Sequence, residues 1–161
     1  MLRRVAVVAI ACIGGAGCVD TGESGVVNAA MTCIEWEVEA YLESGTSADE
    51  RDGFGLTPLS AAAAGPTMQC ERTLELLLAA GADPNLRDDA GRTAVVWATL
   101  EGSAANLEIL VRGGADACTI VSLDPVPGYS GRTAIDVARD RGADELVDLA
   151  LRLTQQCEAP T

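Results

Sequence analysis

The sequence predicts an all-α solenoid of about four stacked helix-turn-helix units joined by hairpin-like connectors. Three observations predict it. Gly-x-Thr recurs at Gly55 to Thr57, Gly91 to Thr93 and Gly131 to Thr133, with a looser start at Ser24. The starts at Ser24, Thr57, Thr93 and Thr133 are spaced by 33, 36 and 40 residues, and a period near 33 marks a repeat architecture. Apolar runs end at Gly81 and Gly114, each followed by Ala-Asp, where a left-handed residue closes a helix.

The register holds within each unit. Ser24 to Gly45 and Thr93 to Gly114 each span 21 residues, and Thr57 to Gly81 spans 24. The second unit therefore carries about three extra residues near Gly65 to Gln69. Connectors of 10 residues run from Gly45 to Gly55 and from Gly81 to Gly91, but that from Gly114 to Gly131 has 17. Thr57 is an N-cap candidate, and Pro58 occupies the first helical position, where its missing N–H is no loss. Thr133 with Asp136 resembles a weak capping box. Short first helices are expected over Leu59–Ala64, Val95–Leu100 and Ile135–Arg139. Second helices are expected over Glu71–Ala80 and Ala104–Arg112, with Leu74, Leu77 and Leu78 on one face. No such helix buries its apolar face alone, so the units must stack. Trp36 and Trp97 fall in helices and are expected in the core.

TPLSAAA at Thr57 to Ala63 and GADPN at Gly81 to Asn85 resemble the ankyrin repeat. TAVVWAT from Thr93, TAIDVAR from Thr133 and SGVVNAA from Ser24 match more loosely. The resemblance covers residues 24–157, leaving 158–161 as a tail. Val27, Ser60, Val96 and Asp136 stand where that family usually has histidine. The resemblance implies partner binding by connector tips and the exposed side of the first helices. The matching positions are Arg51, Asp52, Phe54, Arg87, Asp88, Asp89 and Arg92.

Composition narrows the chemistry. The chain has 161 residues, which suits one domain, and a net charge of −13 from 24 acids against 11 arginines, without lysine or histidine. That charge disfavours nucleic acid, whose phosphates need clustered cations. It suits a basic protein partner or simple solubility. Without histidine there is no Ser-His or Cys-His pair and no histidine metal ligand. Asp83, Asp88 and Asp89 lack the calcium-loop spacing and read as a solvated turn. Asp136, Asp140 and Asp144 span a turn at Gly142 and are given no acid–base role. Gly53 to Gly55 has no preceding strand, so it is a turn rather than a dinucleotide loop. No catalytic residue, metal or cofactor is expected.

The N-terminus reads as a separate element. Arg3 and Arg4 precede an apolar core from Val5 to Ile13, the pattern of a secretory signal over residues 1–17, too short for an ordinary membrane span. Gly15-Ala-Gly-Cys18 resembles a bacterial lipoprotein lipobox, although Gly15 stands where leucine or a similar residue is usual. The resemblance implies lipidation of Cys18, followed by a short linker over 18–23. Ordinary cleavage in the same region is the alternative. Export makes disulfides the expectation for Cys33, Cys70, Cys118 and Cys157, against four buried thiols. Register pairs them as Cys33–Cys70, between the two helices of adjacent units, and Cys118–Cys157, after the second helices of adjacent units.

The long connector, Thr119 to Ser130, is stiffened by Pro125 and Pro127. It carries Val121, Leu123 and Tyr129, which are expected to contact a partner beside Arg92 and Trp97, or else to cap the last repeat. The function expected is a monomeric, exported adaptor of the bacterial envelope, facing the periplasm and touching the membrane only through its lipid. An inhibitor or immunity-type protein masking an exported enzyme or toxin is the alternative. A carboxylate-based enzyme ranks last.

Overall fold

The computed structural model describes residues 25–65, 70–101, 103–118 and 134–154. Those residues form eight helices and no strand. In chain order they are α1 (Gly25–Met31), α2 (Glu35–Glu43), α3 (Pro58–Ala64), α4 (Glu71–Ala79), α5 (Ala94–Glu101), α6 (Ala104–Arg112), α7 (Ala134–Asp140) and α8 (Asp144–Thr154). Each consecutive pair packs as one unit. The first helices stack in the order α1, α3, α5, α7, and the second helices in the order α2, α4, α6, α8. Each unit therefore touches only its neighbours, as in a solenoid.

Local chemistry starts the helices where the sequence places them. The Ser60 N–H donates to Thr57 Oγ1 at 3.2 Å, and Pro58 follows that cap. The Asn106 N–H donates to Ser103 Oγ at 3.2 Å to open α6. Thr133 lies outside the described residues. The second helices close alike. Gly45, Gly81 and Gly114 have φ of 95°, 89° and 94°, a conformation that costs glycine little and other residues more. At each, the glycine and the next residue donate back to the last turn: Gly81 N to Leu78 O and Ala82 N to Leu77 O, both at 3.0 Å. Three units repeat this closure, so the residues just after α2, α4 and α6 leave their helices in the same manner.

Alanine and leucine divide the packing. Ala61, Ala62 and Ala63 of α3 are fully buried between α1 and α5, where small side chains let helices approach closely. Leu74, Leu77, Leu107, Leu110 and Leu146 fill the space between the two rows of helices and are buried to within 1%. Each contributes roughly 1.5–3 kcal/mol relative to exposure. Leu78 is only half-buried, against Gly113. The second row also buries Thr73 and Asn106, both 0% exposed and each the third residue of its helix. Thr73 Oγ1 and both side-chain polar atoms of Asn106 make no hydrogen bond to another protein atom. At that position α8 carries Leu146.

A Cys33–Cys70 disulfide, with Cα atoms 5.0 Å apart, ties the turn between α1 and α2 to the residue preceding α4. Ordinary helix packing keeps axes about 8–10 Å apart, so the local backbone must close the difference. Cys33 does so with a φ of 54°. Gly65 does so by having no side chain: a Cβ there would lie 2.7 Å from Cys70 Sγ and 2.9 Å from the Met31 carbonyl. Cys118 is disulfide-bonded. Cys157, its expected partner, lies outside the described residues.

One tryptophan corrects an expectation: Trp97 packs against the core, but Trp36 does not. Trp36 is 64% exposed on α2. Trp97 is half-buried beneath the Arg92 guanidinium, whose carbon lies 4.0 Å from the ring centroid.

Candidate interaction surface

Among the described residues, the first two connectors and the start of the third form one continuous edge of the stack. Asp52 and Asp88 fold their own connectors in the same manner. Asp52 Oδ1 accepts from Phe54 N at 2.9 Å and Leu56 N at 2.8 Å. Asp88 Oδ1 accepts from Ala90 N and Arg92 N, both at 2.9 Å. The preceding arginines act alike too: Arg51 Nη1 donates to Gly55 O at 3.3 Å, and Arg87 Nη1 to Gly91 O at 2.8 Å. Both Gly53 and Phe54 lie at the turn of the first connector, so Gly53 to Gly55 is structural.

Other bonds run from one connector to the next. Arg51 Nη1 donates to Arg87 O at 2.9 Å. The Asp89 N–H donates to Phe54 O at 3.1 Å, and the Asp83 N–H to Asp49 Oδ1 at 2.9 Å. Asn85 Nδ2 donates to Gly114 O, and Asn85 Oδ1 accepts from Asp116 N at 2.7 Å. The side-chain bonds bridge sequence separations of 29–36 residues, about one repeat. The edge is thus a ladder of hydrogen bonds, and its exposed side chains stand on a held backbone. Asp49 and Asn85, which the sequence reading did not single out, are two of its rungs.

Asp88 is a correction to the expected contact surface. Its side chain is 1% exposed. Besides the two backbone donors, its Oδ2 accepts from Arg92 Nε at 2.8 Å and Trp97 Nε1 at 3.1 Å. Asp88, Arg92 and Trp97 therefore lock the second connector onto α5. The carboxylate is enclosed by its own neighbours and positions them. Asp52, half-buried, is likewise engaged with its own turn. What remains outward is Arg51, Arg87, Asp89 and above all Phe54, 72% exposed. The Phe54 carbonyl is used in the ladder, while its ring is not. Val121, Leu123, Tyr129 and Cys18 lie outside the described residues. Among the described residues no group of acids or cysteines is arranged to hold a metal ion. No described helix is long and apolar enough to cross a membrane.

Paired helices stacked in two rows, with connectors hydrogen-bonded one to the next, define a helical-repeat solenoid. The family model described as Ankyrin repeats (3 copies) matches residues 27–120. The chain belongs to the ankyrin-repeat family, whose repeats mediate protein–protein interaction. It is similar to Ankyrin repeat domain-containing protein 63 of Mus musculus, 36% identical over 109 residues, covering 65% of this chain and 25% of that protein. The Homo sapiens protein of the same name is 39% identical over 109 residues, covering 65% and 26%. Cyclin-dependent kinase 4 inhibitor B of Bos taurus is 34% identical over 122 residues, covering 75% of this chain and 85% of that protein. The chain thus spans about a quarter of the mouse and human relatives and most of the bovine one.

Proposed function

We propose that the chain is an exported protein-binding module that engages one protein partner through its connector edge, with Phe54 as the apolar anchor and Arg51, Arg87 and Asp89 around it. One observation carries this reading: the exposed phenylalanine on a backbone already tied to the next connector. A pre-ordered aromatic loses little freedom on binding, and such residues are frequent interface anchors. Phe54→Ala should leave the unfolding free energy of the free protein, from urea titration, within about 0.5 kcal/mol of wild type. The same change should weaken retention of the specific partner, taken from an envelope extract, by tenfold or more. Retention unchanged by Phe54→Ala would remove Phe54 from the interface.

Export and anchoring through Cys18 rest on Arg3, Arg4, the apolar core Val5 to Ile13 and the lipobox-like Gly15-Ala-Gly-Cys18. The Cys33–Cys70 disulfide and the bonded Cys118 support an oxidising compartment. Metabolic labelling with a fatty-acid analogue should mark the protein and disappear in Cys18→Ser. Labelling that persists in that variant excludes the site. A second reading is that binding is inhibitory, masking an exported enzyme or toxin. It is favoured by the likeness to a bovine protein named as a kinase inhibitor, matched over 85% of its length. Loss of the partner's own activity on binding distinguishes inhibitor from adaptor.

A further inference from the structure

The outer face of α2 carries chemistry that the stack does not use. Trp36, Glu39 and Glu43 follow at i, i+3 and i+7 along one side of the helix, and Trp36 is 64% exposed. Glu35, Glu39 and Glu43 also follow at i, i+4 and i+8, a spacing at which like charges repel. Arg72 relieves Glu35, with Nε 3.1 Å from Oε2. Among the described residues, Glu39 and Glu43 have no ion-pair partner. No basic residue occupies the last turn of α2, so Glu43 also faces the negative end of the helix dipole. A shallow groove between α2 and α4 runs beside these acids, floored by Leu42, Leu76 and Ala79. It meets a hollow beside Trp36 at Glu39, which borders both.

The chain itself shows what completes such a set. At the second connector an arginine, Arg92, lies over the Trp97 ring while pairing with the Asp88 carboxylate. Trp36 and Glu39 offer the same two groups without the cation. We propose that the α2 face docks a basic amphipathic helix of another protein. One arginine or lysine stacks on Trp36 and pairs with Glu39, and a second, one turn on, pairs with Glu43. The partner's apolar side covers Leu42 and Leu76. Charge selects this occupant. A second copy of the chain, itself at −13, or an anionic lipid surface would add like charge to unrelieved acids. This face lies on the second-helix row, away from the connector edge, and is independent of the binding proposed there.

The test uses the full chain and synthetic helical peptides of about 14 residues, four turns, with arginine at i and i+4 and leucine at i+3 and i+7. Peptides with glutamate for arginine, anionic phosphatidylglycerol vesicles, and sedimentation of the chain alone complete the set. The arginine peptides are expected to shift the tryptophan emission of wild type but not of Trp36→Phe. Glu39→Gln with Glu43→Gln should weaken binding by about tenfold or more, while its melting midpoint stays equal or rises, because repulsion is removed. Phe54→Ala should bind the peptides as wild type does. The proposal is overturned if no arginine peptide shifts the emission, if the glutamate peptides bind equally, or if the double glutamine variant binds as tightly. It is also overturned if vesicles or self-association are what bury Trp36, or if Phe54→Ala abolishes peptide binding.

Discussion

Asp88→Ala is expected to destabilise the protein by about 3–4 kcal/mol, measured as the urea midpoint at constant m-value. The carboxylate serves four donors from one enclosed position. Its removal unfastens the connector backbone and strands the Arg92 guanidinium and the Trp97 N–H together. Arg92 retains 27% exposure of its side chain, so water recovers part of that loss. The estimate is accordingly below the upper limit for a fully buried pair. Asp52→Ala removes the acceptor of two backbone N–H groups without stranding a cation, and about 1 kcal/mol is expected. The contrast between the two variants isolates the part contributed by Arg92 and Trp97. A loss under 1 kcal/mol in Asp88→Ala would mean that the connector holds its shape without this carboxylate.

Breaking the Cys33–Cys70 bridge should cost about 3–4 kcal/mol. The bridge closes a sequence separation of 37 residues, and constraining a loop of that length in the unfolded chain gives a value in this range. The loss is expected first in α1 and α2, because among the described residues the first unit packs against another unit on one side only. Hydrogen exchange on Cys33→Ala with Cys70→Ala should therefore show faster opening of α1 and α2 than of α5 and α6. Cys33 adopts a left-handed backbone with φ of 54°, which a side chain disfavours by roughly 1–2 kcal/mol. Cys33→Gly with Cys70→Ala should accordingly be more stable than the alanine pair by about 1 kcal/mol or less, glycine's unfolded-state entropy offsetting the remainder. If both pairs match wild type, the bridge does not stabilise the stack.

The start at Thr57 and the stops at Gly81 and Gly114 were legible because they depend on neighbours within four residues. Thr57 with Pro58 opens α3 by chemistry contained in one turn. Gly45, Gly81 and Gly114 close their helices by a backbone preference of glycine itself. The pairing of Cys33 with Cys70 was legible for a different reason: a repeat period turns sequence position into spatial position, so equal offsets in adjacent units become neighbours. The same translation applies to the bonds from Asp49 to Asp83 and from Asn85 to Asp116, but polar residues in turns are common enough to carry no separate signal.

For the interaction surface, the sequence by itself determined which segments reach the connector edge: Arg51 to Phe54 and Arg87 to Arg92 fall between a glycine stop and a threonine start. Only the tertiary structure decided which side chains there face outward. Asp88 and Asp89 are adjacent acids in the same turn, yet one is enclosed by Arg92 and Trp97 and the other is exposed. Trp36 and Trp97 lie in helices of similar length, yet one is bare and the other carries a guanidinium. The physical reason is range. Helix starts and stops are set by backbone geometry over a single turn. Exposure depends on which donors and surfaces from other elements arrive at a side chain, and for Asp88 and Trp36 these come from the packing of α5 and from the end of the stack.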